Sequence, residues 1–349
     1  MKELMPAAIV IMIFVIIFQI AKASEYVSVL KGEEKSNRQN NKINAFLLIS
    51  FLIVGLIGAW WCNDMYYKQT LFPQGSASKE GISYDNMFLI TTIITGIVFV
   101  ITQVGLFWFS FKYQAKEGKK VYFFPHSTKL ELIWTVIPAI TLTALVAIGL
   151  FNWFKLTSDA PKNAAVVEIT GHQFAWEIRY PGKDGVFGKK DYKLTTSQNS
   201  LGVDFNDPAS RDDIRGVQNE MYLVVNKPAK LVINAQDVIH DVGLSHFRMK
   251  MDAVPGIPTT MWFTPIVTTK DMKLKTNNPN FEYEISCDQM CGAGHFNMKG
   301  IIKVVTQEEY DAWAKTQKPE YWTINPAAAP PVTDTVKTNV TAQVVTNKK

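Results

Sequence analysis

Four long apolar stretches, Leu4–Ala21, Ile43–Trp61, Phe88–Phe111 and Glu131–Phe151, fill the first 154 residues. Each can cross a hydrocarbon core of about 30 Å at about 1.5 Å per residue. Glu131 is the one acid among them, and it sits at an end. A buried core helix has no need of such long charge-free runs. The front half, 1–154, therefore reads as a membrane anchor with helices near 4–21, 43–61, 88–111 and 131–151.

Cations in the connecting loops give its orientation. Lys22, Lys31, Lys35, Arg38 and Lys42 follow the first stretch, and only Lys68 and Lys79 follow the second. Lys112, Lys116, Lys119, Lys120 and Lys129 follow the third. The alternation reads inside, outside, inside, so the chain beyond Phe151 emerges outside. Ala21-Lys22-Ala23 before Ser24 also resembles a signal-peptidase site. Cleavage there would leave three spans and put the C-terminal half inside, against the lysine count, so a retained first helix is the expectation.

From Val166 the pattern becomes that of short strands. Residues 166–170, 174–180, 221–225, 230–235, 281–286 and 300–305 are alternating or apolar runs punctuated by Gly, Pro and Asn. They predict an antiparallel sandwich or barrel over 155–318. The polar stretch 182–219 reads as an inserted loop. Thr306 and Glu309 form a capping-box pattern for a helix over 307–315. The Pro-, Ala- and Thr-rich segment 319–349 reads as a disordered tail. A net charge of +5, with lysines scattered through short loops, argues against nucleic acid as a partner. Three cysteines, Cys62, Cys287 and Cys291, are too few for a disulfide scaffold.

The chemistry concentrates in Cys287-Asp-Gln-Met-Cys291-Gly-Ala-Gly-His295-Phe-Asn-Met298. Two thiols, an imidazole and a thioether form a soft donor set that suits copper better than calcium or magnesium. A mononuclear blue-copper site has no use for the second Cys, and Met is a poor zinc ligand. Two copper ions bridged by both thiolates satisfy the set, given a second His. His240, closing the run Asp237-Val-Ile-His240, is the best candidate.

With these residues in view, the chain after about residue 40 resembles cytochrome c oxidase subunit II. The resembling segments are His126-Ser-Thr-Lys-Leu-Glu131-Leu-Ile-Trp134-Thr135-Val-Ile-Pro138, Gly171-His-Gln-Phe-Ala-Trp176, Asp252-Ala-Val-Pro-Gly256 and the Cys287–Met298 run. The resemblance implies a transmembrane hairpin, preceded here by two extra spans, and an exported all-β cupredoxin-like barrel. It further implies dinuclear copper A held by His240, Cys287, the Gln289 carbonyl, Cys291, His295 and Met298. Many members carry Glu where this chain has Gln289, and that side chain helps bind a magnesium shared with subunit I. Gln289 keeps the carbonyl but lacks the charge. The spacing from His240 to Cys287 suggests an insertion near 266–279.

The resemblance also implies the partners: oxidase subunit I with the heme, other oxidase subunits, membrane lipid, and cytochrome c as donor. Oxygen would be reduced to water in subunit I, coupled to proton pumping, in a bacterial inner membrane. Glu131 matches the acid at the mouth of a proton channel. Electron entry usually uses a Trp at the position of Phe174; this chain keeps Trp176, which an unbroken strand would place on the same face. His172, His246, His126, Cys62, Met249 and Met251 read as structural or surface groups, and Asp237 as an acid attractive to a basic cytochrome. A quinol-oxidase relative would lack the copper ligands, and nitrous oxide reductase would carry them on a soluble propeller. A membrane-tethered copper carrier or chaperone is the alternative function; it has no need of the segment Glu131–Pro138.

Overall fold

The computed structural model describes residues 4–116, 118–120 and 122–328. The described residues form two compact units, one within 4–75 and 82–155, the other Ser76–Gly81 together with 156–328.

The first unit holds four helices long and apolar enough to cross a membrane. These are α1 (Leu4–Lys31), α2 (Glu33–Tyr66), α3 (Lys79–Lys112) and α4 (Thr128–Leu156). Each outruns its apolar stretch, because hydropathy marks the depth of hydrocarbon and not the ends of the hydrogen-bond ladder. Helix α1 passes unbroken through Ala23 and Ser24 and stops only at Gly32, whose φ of 82° is left-handed. In hydrocarbon a free hydroxyl has no water to meet. The threonines solve this within their own helices: Thr91 donates to the Met87 carbonyl, Thr102 to Val98, Thr141 to Ile137 and Thr143 to Ala139.

The second unit is two five-stranded sheets. In chain order the strands are β1 (Ala165–His172), β2 (Ala175–Tyr180), β3 (Ile214–Arg215), β4 (Glu220–Val224), β5 (Ala229–Ala235), β6 (His240–Leu244), β7 (Met249–Ala253), β8 (Thr259–Phe263), β9 (Tyr283–Cys287) and β10 (Lys299–Val305). One sheet runs β3-β2-β1-β5-β8 and the other β4-β10-β9-β6-β7. The sheets are mixed, not purely antiparallel as the sequence pattern suggested, since β1 pairs in parallel with β5 and β10 with β4. Alternation along a strand encodes the buried face and carries no information on a neighbour's direction. Val167, Ile169, Trp176, Ile178, Leu231, Ile233, Val242, Tyr283, Ile285 and Ile302 fill the core.

Three stretches depart from the expected layout. Residues 182–219 are a packed excursion rather than a slack loop. It covers the outer face of β2, so all six β2 residues are buried. Arg179, 1% exposed, pairs with Glu168 at 3.0 Å and Asp213 at 2.5 Å, and Lys190 reaches Glu168 at 2.6 Å. The expected insertion near 266–279 contains helix α5 (Thr269–Thr276), capped by Thr268 and anchored by buried Met272. The first residues of the expected tail, beyond 318, are folded. After the capping-box helix α6 (Gln307–Thr316), α7 (Glu320–Ile324) docks through buried Glu320, 3.1 Å from Arg215. Positions 329–349 lie outside the described residues.

The short segment Ser76–Gly81 also belongs to the β unit, which a single cut near residue 154 misses. Ser78 Oγ donates to the Phe247 carbonyl at 2.6 Å, and Glu80 accepts the Thr264 amide at 2.7 Å.

Candidate metal centre

Strands β6 and β9 are antiparallel neighbours, with Val242 opposite Cys287. That register sets His240, at the start of β6, beside the end of β9. The chain then loops out and returns into β10, where the Cys287 amide donates to the Met298 carbonyl at 3.2 Å. The first and last donors of the loop therefore abut. Gly292, with φ 135°, permits the turn.

The donors gather as the spacing predicted. Cys287 Sγ and Cys291 Sγ lie 3.7 Å apart. A disulfide would close this to about 2.05 Å, so the sulfurs stand as a separated pair able to share ligands. His240 Nδ1 is 3.8 Å from Cys287 Sγ, and His295 Nδ1 is 3.6 Å from Cys291 Sγ. Met298 Sδ lies 3.9 Å from Cys291 Sγ, and the Gln289 carbonyl 3.2 Å from Cys287 Sγ. One imidazole thus attends each sulfur, with a weak donor beside each. His240, Cys287, Cys291 and Met298 are buried, while His295 is half-buried. Burial, followed by the hydrogen bond and charge of Cys287, pushes the Cys291 thiol up to about 11. Without a cation Cys291 keeps its proton at neutral pH; a soft metal displaces it. Two buried sulfurs with no other electrophile between them fit a thiophilic metal and nothing harder.

A second ring of residues holds these donors, and sequence reading had seen little of it. His240 Nε2 donates to Asp237 Oδ1 at 2.8 Å, which fixes the tautomer and leaves Nδ1 facing the sulfur. The same carboxylate accepts the Gln173 amide and the Val238 amide, both at 2.7 Å. Burial alone pushes the Asp237 carboxyl up, but these bonds outweigh it and hold it below its ordinary value. Gln173 Nε2 donates to the Cys291 carbonyl at 2.6 Å, so one residue ties the β1–β2 turn to both ligand segments. The Asp-x-x-His spacing was a usable signal for Asp237; Gln173 had none, because its partner is 118 positions away.

Glycines give the centre its close packing. A Cβ at Gly171 would lie 2.9 Å from the Trp176 ring and 3.0 Å from the His240 ring. At Gly294 it would fall 2.5 Å from the Phe174 ring. Phe174 therefore lies over the ligand loop, 38% exposed. The expectation that Phe174 and Trp176 share a strand face does not hold. Phe174 is in the turn before β2, where alternation has not begun, and Trp176 is fully buried with its ring 6.0 Å from that of His240.

The remaining singled-out residues each have surroundings of their own. Glu131 is exposed in the first turn of α4. His172 faces Glu177 at 3.5 Å, and His246 packs edge-on against Phe281 and Tyr283. His126 is exposed and Cys62 is an exposed free thiol. Met249 is buried in the core, and Met251 packs against it.

Comparison with known proteins agrees with this geometry. The transmembrane domain of cytochrome c oxidase subunit II matches residues 65–153, and its periplasmic domain matches 165–305. The alternative cytochrome c oxidase subunit 2 of Bradyrhizobium diazoefficiens is 33% identical over 272 residues, spanning 78% of this chain and 89% of that protein. The cytochrome c oxidase subunit 2 of Cereibacter sphaeroides is 27% identical over 253 residues, spanning 69% and 77%. The solved periplasmic domain of Bradyrhizobium japonicum cytochrome oxidase subunit II is 28% identical, covering 47% of this chain and 99% of that one with a TM-score of 0.32. Matches to both domain models and to relatives along most of their length mean that this chain belongs to the cytochrome c oxidase subunit II family, a component of an oxidoreductase complex, with a membrane anchor and a cupredoxin-like periplasmic domain.

Proposed function

We propose that the chain is the electron-entry subunit of a respiratory oxidase, taking electrons from cytochrome c and passing them to heme in subunit I. There oxygen would be reduced to water with proton pumping. The observation that carries this reading is the sulfur pair at 3.7 Å with one imidazole nitrogen beside each sulfur. Cys287 and Cys291 would hold two copper ions between them, with His240 and His295 as end ligands and Met298 and the Gln289 carbonyl as weak ones. Such a copper pair, when bound, supplies one-electron acceptance and release with the charge spread over two metals.

The protein's own residues make that exchange easy. Burial and the Asp237–His240 bond keep the donors in one arrangement, so little has to move between redox states. Phe174, exposed over the ligand loop, is the contact point for the donor, and Trp176 buttresses His240 from behind. Gln289 presents its backbone to the site without a carboxylate, so any magnesium shared with subunit I would need its charge from elsewhere. Glu131, at the start of α4, would feed protons toward subunit I. The lysine-rich loops support a β unit on the periplasmic side, in a bacterial inner membrane.

Copper analysis and EPR of the full-length chain test the reading. Two coppers per chain, with hyperfine structure from two equivalent nuclei, are expected, and Cys291→Ser should abolish that spectrum together with oxidation of cytochrome c. A single-copper spectrum from the unaltered chain would overturn it, and purification without any heme-bearing subunit would favour the copper-carrier alternative.

A further inference from the structure

Helix α2 ends at Tyr66, so almost all of it precedes the residues matched by the family's transmembrane-domain model, which begin at residue 65. Arg38, Lys42 and Phe46 follow one another at intervals of four, which sets them on a single helix face. At about 1.5 Å per residue, that face passes from charge to aromatic over about 12 Å. Phe46 meets Phe111, near the end of α3, edge-on at 5.6 Å, and Phe51 meets Phe107 at 5.8 Å one turn deeper. The two helices thus converge at their lysine-rich ends.

Between them is a cleft of about 700 Å³ lined by Arg38, Lys42, Phe46, Phe111, Lys116 and Lys119. Among the described residues, Lys42, Lys116 and Lys119 meet no carboxylate. The connecting loop adds Lys112, Lys120 and Lys129 against Glu117 alone, so the neighbourhood is strongly positive. An aqueous anion would have no use for the aromatic floor, and an ordinary lipid tail none for the cations. The cleft joins both at the depth where an apolar span gives way to charge.

We propose that this cleft binds an anionic phospholipid, its phosphate among Arg38, Lys42, Lys116 and Lys119 and its acyl chains along Phe46 and Phe111. Basic pockets between membrane helices on the positively flanked side select such headgroups. Helix α2 would then have a function of its own, converting the end of α3 into half of a lipid-specific site.

Native mass spectrometry of the full-length chain in detergent, titrated with phosphatidylglycerol or phosphatidylcholine, tests this. One phosphatidylglycerol should be retained in preference to phosphatidylcholine. Arg38→Gln with Lys42→Gln should weaken it by about 30-fold, at about fivefold per cation. The charge-keeping pair Arg38→Lys with Lys42→Arg should restore it, which separates loss of charge from loss of fold. Equal retention of both lipids would overturn the proposal. So would displacement of the lipid by inorganic phosphate, which would mark a plain anion site. Crosslinking from Lys116 to an acidic segment of another oxidase subunit, with no lipid retained, would also overturn it by giving the cleft to a protein.

Discussion

The sharpest single perturbation of the centre is Asp237→Asn, a change of one atom. Asp237 accepts three hydrogen bonds, from His240 Nε2 at 2.8 Å and from the Gln173 and Val238 amides at 2.7 Å. His240 and Val238 share Oδ1, while Gln173 uses Oδ2. An asparagine can keep its carbonyl on the first pair only by turning its NH2 toward the Gln173 N–H. Two donors then face each other. Flipped over, the amide would confront His240 instead and favour the wrong tautomer. The first orientation loses the Gln173 contact and the second loses both the His240 and the Val238 contacts, each replaced by donors facing donors. Outer-shell carboxylates of metal-bound histidines are worth roughly 10–100-fold in metal affinity, or about 1.4–2.7 kcal/mol.

The measurement is a chelator competition for copper on the full-length chain, run beside stopped-flow oxidation of reduced cytochrome c. Copper affinity should fall within that range. The electron-entry rate should fall as well, because Gln173 carries Phe174 and holds the Cys291 carbonyl at 2.6 Å. Asp237 is also an acid near the donor's docking side, so a slower rate alone would be ambiguous. Salt separates the two roles: docking electrostatics fade as the Debye length shrinks below about 8 Å, whereas copper affinity set by a direct 2.8 Å hydrogen bond to buried His240 does so far less. An Asp237→Asn chain with unaltered copper affinity would show that His240 is oriented by something else, and the reasoning would fail.

Two further outcomes follow from packing. Gly171→Ala would press a methyl against fully buried Trp176 and the His240 ring; overpacking of this kind costs about 1–3 kcal/mol. Thermal unfolding should reveal the loss and EPR a changed copper site, while an unchanged spectrum would mean the rings yield freely. Arg179→Met would strand Asp213 under the 182–219 excursion and leave Glu168 to Lys190, at about 3–5 kcal/mol for a broken buried pair. Urea unfolding should move accordingly, and a shift below about 1 kcal/mol would show that the excursion does not depend on this cluster.

What the sequence disclosed divides along the range of the interactions involved. Helix α6 was readable to within a residue, because Thr306 and Glu309 satisfy each other's backbone three positions apart. The spans were readable because hydrocarbon imposes a length, although their ends were not. Strands β6, β7 and β8 escaped notice: β6 carries Asp241 and Gly243 in a fully buried strand and so lacks a clean alternation, and β7, Met-Lys-Met-Asp-Ala, alternates over only five residues. The parallel pairing of β1 with β5 joins Val167 to Leu231 across a connection that holds the whole 182–219 excursion, and no local pattern encodes it.

The centre shows the same division at finer grain. Five of its six donors lie within twelve residues, and their order alone betrayed them. The sixth, His240, was inferred from the chemistry of the set, since two bridging sulfurs need an imidazole at each end. The supporting residues were invisible because their partners are distant in sequence: Gln173 reaches 118 positions to Cys291 and 64 to Asp237. Ligand identity is thus a local property of this chain, while ligand orientation belongs to its tertiary fold. A relative could keep every copper donor and still lose its electron-transfer rate through the turn at Gln173 and Phe174. That turn, rather than the donor loop, is where differences in rate among chains with identical ligands should be sought.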